Sequence, residues 1–461
     1  MSEKKSLSPP VDKGEIVEVE IADLSHDGAG VGSLRGFTLF VPDTVPGDLV
    51  EARITAINKG YAHALPVLIK QSSEYRTTPA CQHFLCCGGC RLQHLKYSAQ
   101  LLLKQKKVTE ALRRLGRIGA PVHPVIGMSV PWIYRNTVQV PVASDHGQLI
   151  AGFYEKRSHK AMDIVTCPIQ HPACFKAVSA IRDLLRELKI APYDHKTGRG
   201  VMRHIICRYS FHNNEVLILL VTKGEKLPQA TKLADKLRSR IDNLAGVVQN
   251  VNSQRNNSVL GERDILLWGK PYLIEKLGGL SFHISPRSFF QINPAQSEVL
   301  LRKVVEFAGL SGKETVFDLY CGTGVIACNL ARHAKQVFGV ESSPQAVADA
   351  KVNASLNCIN NLKFFHGQAE ELLPQLVHEG YRADIMVVNP PRKGCAETLL
   401  KTIIQSSPAQ IIYVSCDPAT LARDLKLLNG GGYHAIEVQP VDMFPHTSHV
   451  ECVVLMSRVG E

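Results

Sequence analysis

From about residue 289 onward short apolar runs alternate with helical stretches, and this alternation is what most narrows the folds open to the chain. Strand and helix in regular alternation argue for a doubly wound parallel sheet with helices on its faces. The first apolar run, Thr315 to Tyr320, leads into Cys321-Gly-Thr-Gly324 and then a helical stretch from Val325 to His333. The second, Gln336 to Val340, ends at Glu341. A strand, a glycine loop and a helix in this order make a nucleoside-binding crevice. Gly322 and Gly324 let the backbone approach a ligand, and Glu341, about 20 positions on, can accept both ribose hydroxyls. No third glycine follows Gly324, and a lone Gly-x-Gly is a weak signal, but with the flanking strands and Glu341 the reading favours S-adenosylmethionine over NAD.

Two later strands should end at the same edge. Asp384 to Val388 runs into Asn389-Pro-Pro-Arg392, a rigid turn, and Ile411 to Ser415 runs into Cys416. Asp417 reads as a helix N-cap and Pro418 as the first helical position, which puts the Cys416 thiol at a helix N-terminus. Partial positive charge there favours a thiolate, so Cys416 is the candidate nucleophile. The plain alternative is a small buried hydrophobe. In a parallel sheet, edge loops of this kind face the ligand, which favours the nucleophile. The last apolar strand carries Glu451 at its head, either a salt-bridge partner or a base beside the thiol.

The preceding part of the chain is organised differently. Residues 14 to 68 alternate in period two with turns between, a small β-barrel pattern. Cys81, Cys87 and Cys90 then form a Cys-x5-Cys-x2-Cys run around Gly88 and Gly89. Cys167, next along and in a turn before Pro168, is the expected fourth ligand, and four thiolates admit either a [4Fe-4S] cluster or a structural zinc. Residues 94 to 118 read as one helix with a basic face carrying Lys96, Lys104, Lys106, Lys107, Arg113, Arg114 and Arg117. That face is either solvated or placed against RNA phosphates. From Tyr134 to Asn252 the pattern is α+β, with Arg157, His159, Arg203, His204 and Arg208 as further donors suited to looped RNA. Lys and Arg outnumber Asp and Glu by 53 to 42, a net charge of +11 that makes a polyanionic partner plausible. No apolar run approaches a membrane span and four of the 13 cysteines crowd together, so a cytoplasmic protein with a metal centre rather than disulfides is expected.

The barrel stretch resembles the TRAM domain, an OB-like barrel that binds RNA. Gln291 to Gln296, Phe317 to Gly324, Asn389 to Gly394, Ser415 to Thr420 and His449 to Glu451 together resemble the RNA 5-methyluridine methyltransferase family. With the barrel and the four cysteines, the chain is most similar to the branch that modifies 23S ribosomal RNA and carries an iron-sulfur cluster. The resemblance implies Cys416 as nucleophile and Glu451 as general base. It also implies an S-adenosylmethionine site lined by Gln291, Tyr320, Glu341 and the position of Asn389. Three departures stand out: Asn389 where Asp is usual, Thr137 where Lys usually follows Tyr-Arg-Asn, and Val325 where some members have Asn. The expected architecture is multidomain. It comprises an OB-like barrel over 1–72, an α+β RNA-binding region with the cysteine site over 73–288, and a Rossmann-like methyltransferase domain over 289–461. The helix at 94–122 is placed either with the central region or against the catalytic one. Competing readings are a tRNA uridine 5-methyltransferase, an amino-group methyltransferase, and a catalytically silent RNA-binding factor.

Overall fold

The computed structural model describes residues 9–254 and 258–459. The N-terminal strands β1 (Ile16–Leu24), β2 (Gly30–Leu34), β3 (Phe37–Val41), β4 (Leu49–Asn58) and β5 (Tyr61–Gln71) close into a barrel in the order β1-β2-β3-β5-β4. Alternation does the sorting: Val17, Val19 and Ile21 of β1 point inward onto Leu39, Val50 and Ile54, while the intervening glutamates face water.

The barrel is followed by the cysteine loop and by helix α1 (Tyr97–Ala111), which ends in a π-helical turn, Leu112–Gly116. This is shorter than the helix expected over 94–118, because Arg117 turns into the left-handed region. The central sheet runs β11-β10-β9-β8-β6-β7. Its strands are β6 (Thr137–Asp145), β7 (Gln148–Ala151), β8 (Met202–Ser210), β9 (Glu215–Thr222), β10 (Leu244–Val251) and β11 (Arg263–Gly269). Helices α2 (Pro172–Glu187) and α3 (Ala230–Arg240) supply Val178, Ile181, Leu233 and Leu237 to its core. A hairpin of β12 (Leu273–Leu277) and β13 (Leu280–Ile284) leads to the last region.

There α4 (Pro294–Ala308) precedes seven strands in the order β16-β15-β14-β17-β18-β20-β19. These are β14 (Thr315–Leu319), β15 (Gln336–Glu341), β16 (Leu362–His366), β17 (Ile385–Val388), β18 (Gln410–Ser415), β19 (Tyr433–Val441) and β20 (Glu451–Arg458). Helices α5 (Val325–Ala331), α6 (Pro344–Leu356), α7 (Ala369–His378), α8 (Glu397–Ser406) and α9 (Pro418–Gly430) connect them. The first five strands are parallel; β20 lies antiparallel between β18 and β19. Among the described residues no helix is long and apolar enough to cross a membrane.

α1 packs on the catalytic sheet. Its Val108, and Leu112 just after it, join the core formed by Leu421, Leu425 and Tyr433, and the following chain runs beside β19 with His123 N–H donating to Val438 O. Lys104 is the anchor: it is completely buried, and its Nζ donates to Asp442 Oδ1 at 2.5 Å and to Phe444 O at 3.0 Å. Tyr97 Oη donates to the other oxygen of Asp442 at 2.9 Å. Burial pushes the Lys104 ammonium down and Asp442 pushes it back up. Replacing Asp442 by alanine leaves a buried ammonium unpaired, so Asp442→Ala is expected to cost about 3–5 kcal/mol, read as a lowered denaturation midpoint at unchanged m-value. Lys104→Met combined with Asp442→Ala should recover much of that loss, since no orphan charge remains.

Candidate active site

The carboxyl edge of the seven-stranded sheet collects the residues of interest because the strand order reverses between β14 and β17, where a crevice opens. On one side the turn after β14 is built on left-handed backbone: φ is +64° at Tyr320, +55° at Gly322 and +82° at Gly324. A side chain at Gly324 would put its Cβ 3.0 Å from Phe364 and 3.2 Å from Ala350. Glycine is therefore required there twice over, by conformation and by space. Tyr320 is held in its unusual conformation by its hydroxyl, which donates to Glu370 Oε1 at 2.8 Å, and by Cys321 N–H donating to Val340 O.

Glu341 ends the neighbouring strand. Its Oε2 accepts from Gly322 N at 3.0 Å and its Oε1 from Ser343 N at 2.7 Å, so the carboxylate is fixed at the mouth of the glycine loop. Asn389 lies beside Tyr320, its N–H donating to Leu319 O at 3.2 Å, with the side chain half-buried. Gln291 precedes α4, and its carbonyl accepts from Asn136 Nδ2 at 3.1 Å. Open backbone at Gly322, an oriented carboxylate and half-buried polar side chains fit a nucleoside-type methyl donor.

On the other side Cys416 follows β18 and Glu451 begins β20. The antiparallel register pairs Ser415 with Cys452, so the next step at the same end brings Cys416 and Glu451 together. Glu451 is 5% exposed, and burial raises its carboxyl to about 7 against an opposing pull from Arg392. Burial also raises the Cys416 thiol, Glu451 raises it further, and Arg392 opposes both. The expected helix start directly after the thiol is present. The Asp417 carboxylate caps α9 itself, accepting from Ala419 N at 2.9 Å and Thr420 N at 3.0 Å, so those amides point at Asp417. The cation facing the thiol is Arg392.

Several residues of this edge had no role in the sequence reading. Arg392 stands in the Pro-Pro loop, where the sequence did signal a ligand-facing turn, and its Nη2 lies 3.4 Å from His449 Nε2. Burial, then Arg392 and Lys107, hold His449 down to about 4, so the ring is neutral at pH 7. Lys107 arrives from α1, its Nζ donating to Ser448 O at 3.0 Å. No local pattern foretells that contact. The basic face expected of the helix is thereby split, with Lys104 and Lys107 turned to the catalytic region and Lys96, Lys106, Arg113, Arg114 and Arg117 outward. Three of the central cations expected to face RNA are structural. Arg203 is buried and donates to Asn252 O, Arg208 donates to Ser285 O, and burial pushes His204 down to about 4.

The cysteine loop forms a second centre. Cys81, Cys87, Cys90 and Cys167 all border one cavity of about 400 Å³, together with Phe84 and Ile292. Burial raises Cys90 to about 12 and Cys167 to about 11, and the neighbouring thiols add to it. Cys86, the spare, is exposed. Among the described residues no group of three or more His, Cys, Asp or Glu side chains is gathered closely enough to hold a metal ion. Four sulfur donors on one cavity are the donor set that either a zinc ion or a metal-sulfur cluster uses. This centre touches the loop before β20: Arg91 and Leu92 N–H groups donate to His446 O, and Tyr134 Oη donates to Pro445 O at 3.0 Å.

Comparison with known proteins agrees with this geometry. Residues 213–459 match the family described as tRNA (Uracil-5-)-methyltransferase, and residues 10–67 match the TRAM domain. An uncharacterised RNA methyltransferase of Halalkalibacterium halodurans is 47% identical, covering 97% of this chain and 98% of its own. One from Bacillus cereus is 44% identical over 98% of this chain and 99% of its own. Among solved structures, the Pyrococcus abyssi tRNA (uracil-54, C5)-methyltransferase in complex with S-adenosyl-L-homocysteine superposes with a TM-score of 0.76. It is 28% identical and covers 95% of this chain and all of that one. The chain belongs to the RNA (uracil-5-)-methyltransferase family, whose members are S-adenosylmethionine-dependent RNA methyltransferases, in the form that carries an N-terminal TRAM domain.

Proposed function

We propose that the protein methylates carbon 5 of a uridine in 23S ribosomal RNA through a covalent adduct on Cys416. The adjacency of Cys416 and Glu451 across the β18–β20 register carries this reading, because the reaction needs one nucleophile and one base at the same ring. Carbon 5 of uracil is a poor nucleophile. The Cys416 thiolate adds to carbon 6, the ring double-bond electrons move onto oxygen 4, and the resulting enolate is nucleophilic at carbon 5. S-adenosylmethionine supplies an electrophilic methyl group, for which Gln291, Tyr320, Gly322, Gly324, Glu341 and Asn389 form the binding edge. Glu341 would accept the ribose hydroxyls, and Asn389 keeps a carbonyl acceptor without the charge of an aspartate. The Glu451 carboxylate then takes the carbon 5 proton, the double bond re-forms, and the thiolate leaves. Arg392 faces both groups and favours the ionised form of each. A uracil inside a duplex cannot reach this edge, so the target is looped or flipped out.

The same reading assigns Cys81, Cys87, Cys90 and Cys167 to a [4Fe-4S] cluster in preference to zinc. The preference rests on the resemblance to the iron-sulfur branch, and on four thiols that border one cavity with no nitrogen or oxygen ligand among them. Anaerobic purification is expected to yield a brown protein with iron and acid-labile sulfide; a colourless zinc protein would overturn the cluster.

The tRNA reading is favoured by one observation, the full-length likeness to the Pyrococcus abyssi tRNA enzyme. Labelled methyl transfer to rRNA and tRNA from a strain lacking the gene separates the two. The expected result is a single class of 5-methyluridine in 23S rRNA. Label confined to tRNA would replace the rRNA target, and label on an exocyclic amine would end the carbon 5 reading.

A further inference from the structure

A groove of about 330 Å³ runs between the turn joining β1 to β2 and helix α1, and it is a different cavity from the cysteine site. One wall is the barrel turn from Asp23 to Gly28; the other carries Lys106, Lys107 and Arg114. Ser448, three residues before Glu451, also borders it. The cations along it are held in two ways. Lys106 pairs with Asp23 at 2.7 Å and Arg114 pairs with Glu110, and in both pairs the basic side chain is more than half exposed. Exposed pairs of this kind contribute about 0–1 kcal/mol, so a competing anion can replace the carboxylate at little cost. Lys107, by contrast, is half-buried and rests on a carbonyl, Ser448 O. It shares its surroundings with Asp417, the residue after Cys416, and with Arg392. Burial disfavours its charge, and an anion in the groove would restore it.

We propose that this groove holds the sugar-phosphate backbone of single-stranded RNA flanking the target uridine, with Lys107 as the innermost phosphate ligand and Lys106 and Arg114 on the rim. The assignment rests on the uracil reading above, since it places a base at Cys416 and asks where its neighbouring phosphates lie. Two features select a phosphate chain over a lone anion. Lys106, Lys107 and Arg114 share one wall over about two turns of helix, and the lining also takes in Ser448, in the loop that leads into Glu451. The opposite wall belongs to the barrel, so the strand is gripped between two parts of the chain that no short segment could bring together.

The test uses the full chain, a uridine-rich single-stranded RNA oligonucleotide for binding, and unmethylated RNA for turnover. Lys107→Gln is expected to reduce the magnitude of the slope of log K against log salt by about 0.7, the contribution of one single-strand phosphate contact. KM for RNA should rise about fivefold to tenfold, and Lys107→Arg should restore both KM and slope. Arg114→Gln, on the exposed rim, should lower the slope in the same direction and keeps the test open if Lys107→Gln folds poorly. Unchanged slopes in both variants would overturn the groove while leaving carbon 5 methylation intact. A fall in kcat at unchanged KM and slope would also overturn it, because Lys107 would then act on the Cys416 and Glu451 charges alone. Failure of the wild-type protein to methylate any RNA would instead remove the uracil reading, and the groove assignment with it.

Discussion

Cys416→Ala is expected to lower methyl transfer by at least about 10⁴-fold while leaving S-adenosylmethionine binding intact. The thiol is half-buried at a strand end, and its removal leaves the Asp417 cap of α9 in place, so the fold should tolerate the change. The informative readout is covalent trapping. With RNA containing 5-fluorouridine the wild-type enzyme should add Cys416 to carbon 6 and transfer the methyl group. It should then stall, because fluorine cannot leave carbon 5 as a proton does. A protein-RNA species stable to denaturant is expected with wild type and absent with Cys416→Ala. An adduct formed by the alanine variant would move the nucleophile elsewhere.

Glu451→Gln should give the complementary phenotype. Adduct formation and methyl transfer need the thiolate, whereas release needs the base, so the covalent species should accumulate on ordinary uridine RNA as turnover falls by about 10²–10⁴-fold. The pH profile follows from the carboxyl raised to about 7. Wild-type release should speed up as pH rises through about 7, where the base ionises, and the variant should lose that limb. Stability moves the opposite way. A carboxyl raised from 4.5 to about 7 by burial favours the folded state fully below pH 4.5 and loses that contribution as pH rises through about 7. The uncharged glutamine carries no such loss. Above pH 7 the variant is therefore expected to be the more stable protein, by up to on the order of 3 kcal/mol, measured by denaturant titration at pH 5 and pH 8. Wild-type turnover by the variant, without adduct accumulation, would remove Glu451 from the base role.

Arg392 links the two predictions. It faces a thiol and a carboxyl that each resist ionisation, and its guanidinium is the cation opposing both. The sequence placed it in a ligand-facing loop but offered no reason to pair it with either group. The helix N-terminus looked like the activator because Asp-Pro after a cysteine marks a helix start. The same aspartate caps that start, and Arg392 is the side-chain cation that opposes burial at the thiol.

The cysteine centre and the catalytic edge are also less separate than their positions in the chain suggest. Ile292, next to Gln291, borders the cysteine cavity, and the loop before β20 receives hydrogen bonds from Arg91, Leu92 and Tyr134. That loop delivers His449 and Glu451. A group held by the four thiols, as proposed above, would therefore also steady the segment that carries Glu451.

By itself the sequence determined the elements whose signals are local. The period-two barrel, the glycine loop between Leu319 and Val325, the acidic end of β15, the cap at Asp417 and the crowding of Cys81, Cys87 and Cys90 can each be read within a few turns of chain. Backbone sterics, turn chemistry and side-chain periodicity act over that range. Tertiary structure alone decided which charges are buried and what they meet. Lys104 and Asp442 are 338 positions apart, and nothing near either foretells the pair. Arg203 and Arg208 look like surface cations until they meet carbonyls of the segments that follow β10 and β13, Asn252 O and Ser285 O. The meeting of Cys416 with Glu451 depends on an antiparallel register in an otherwise parallel sheet, where a one-residue slip would turn every side chain of the strand to the other face.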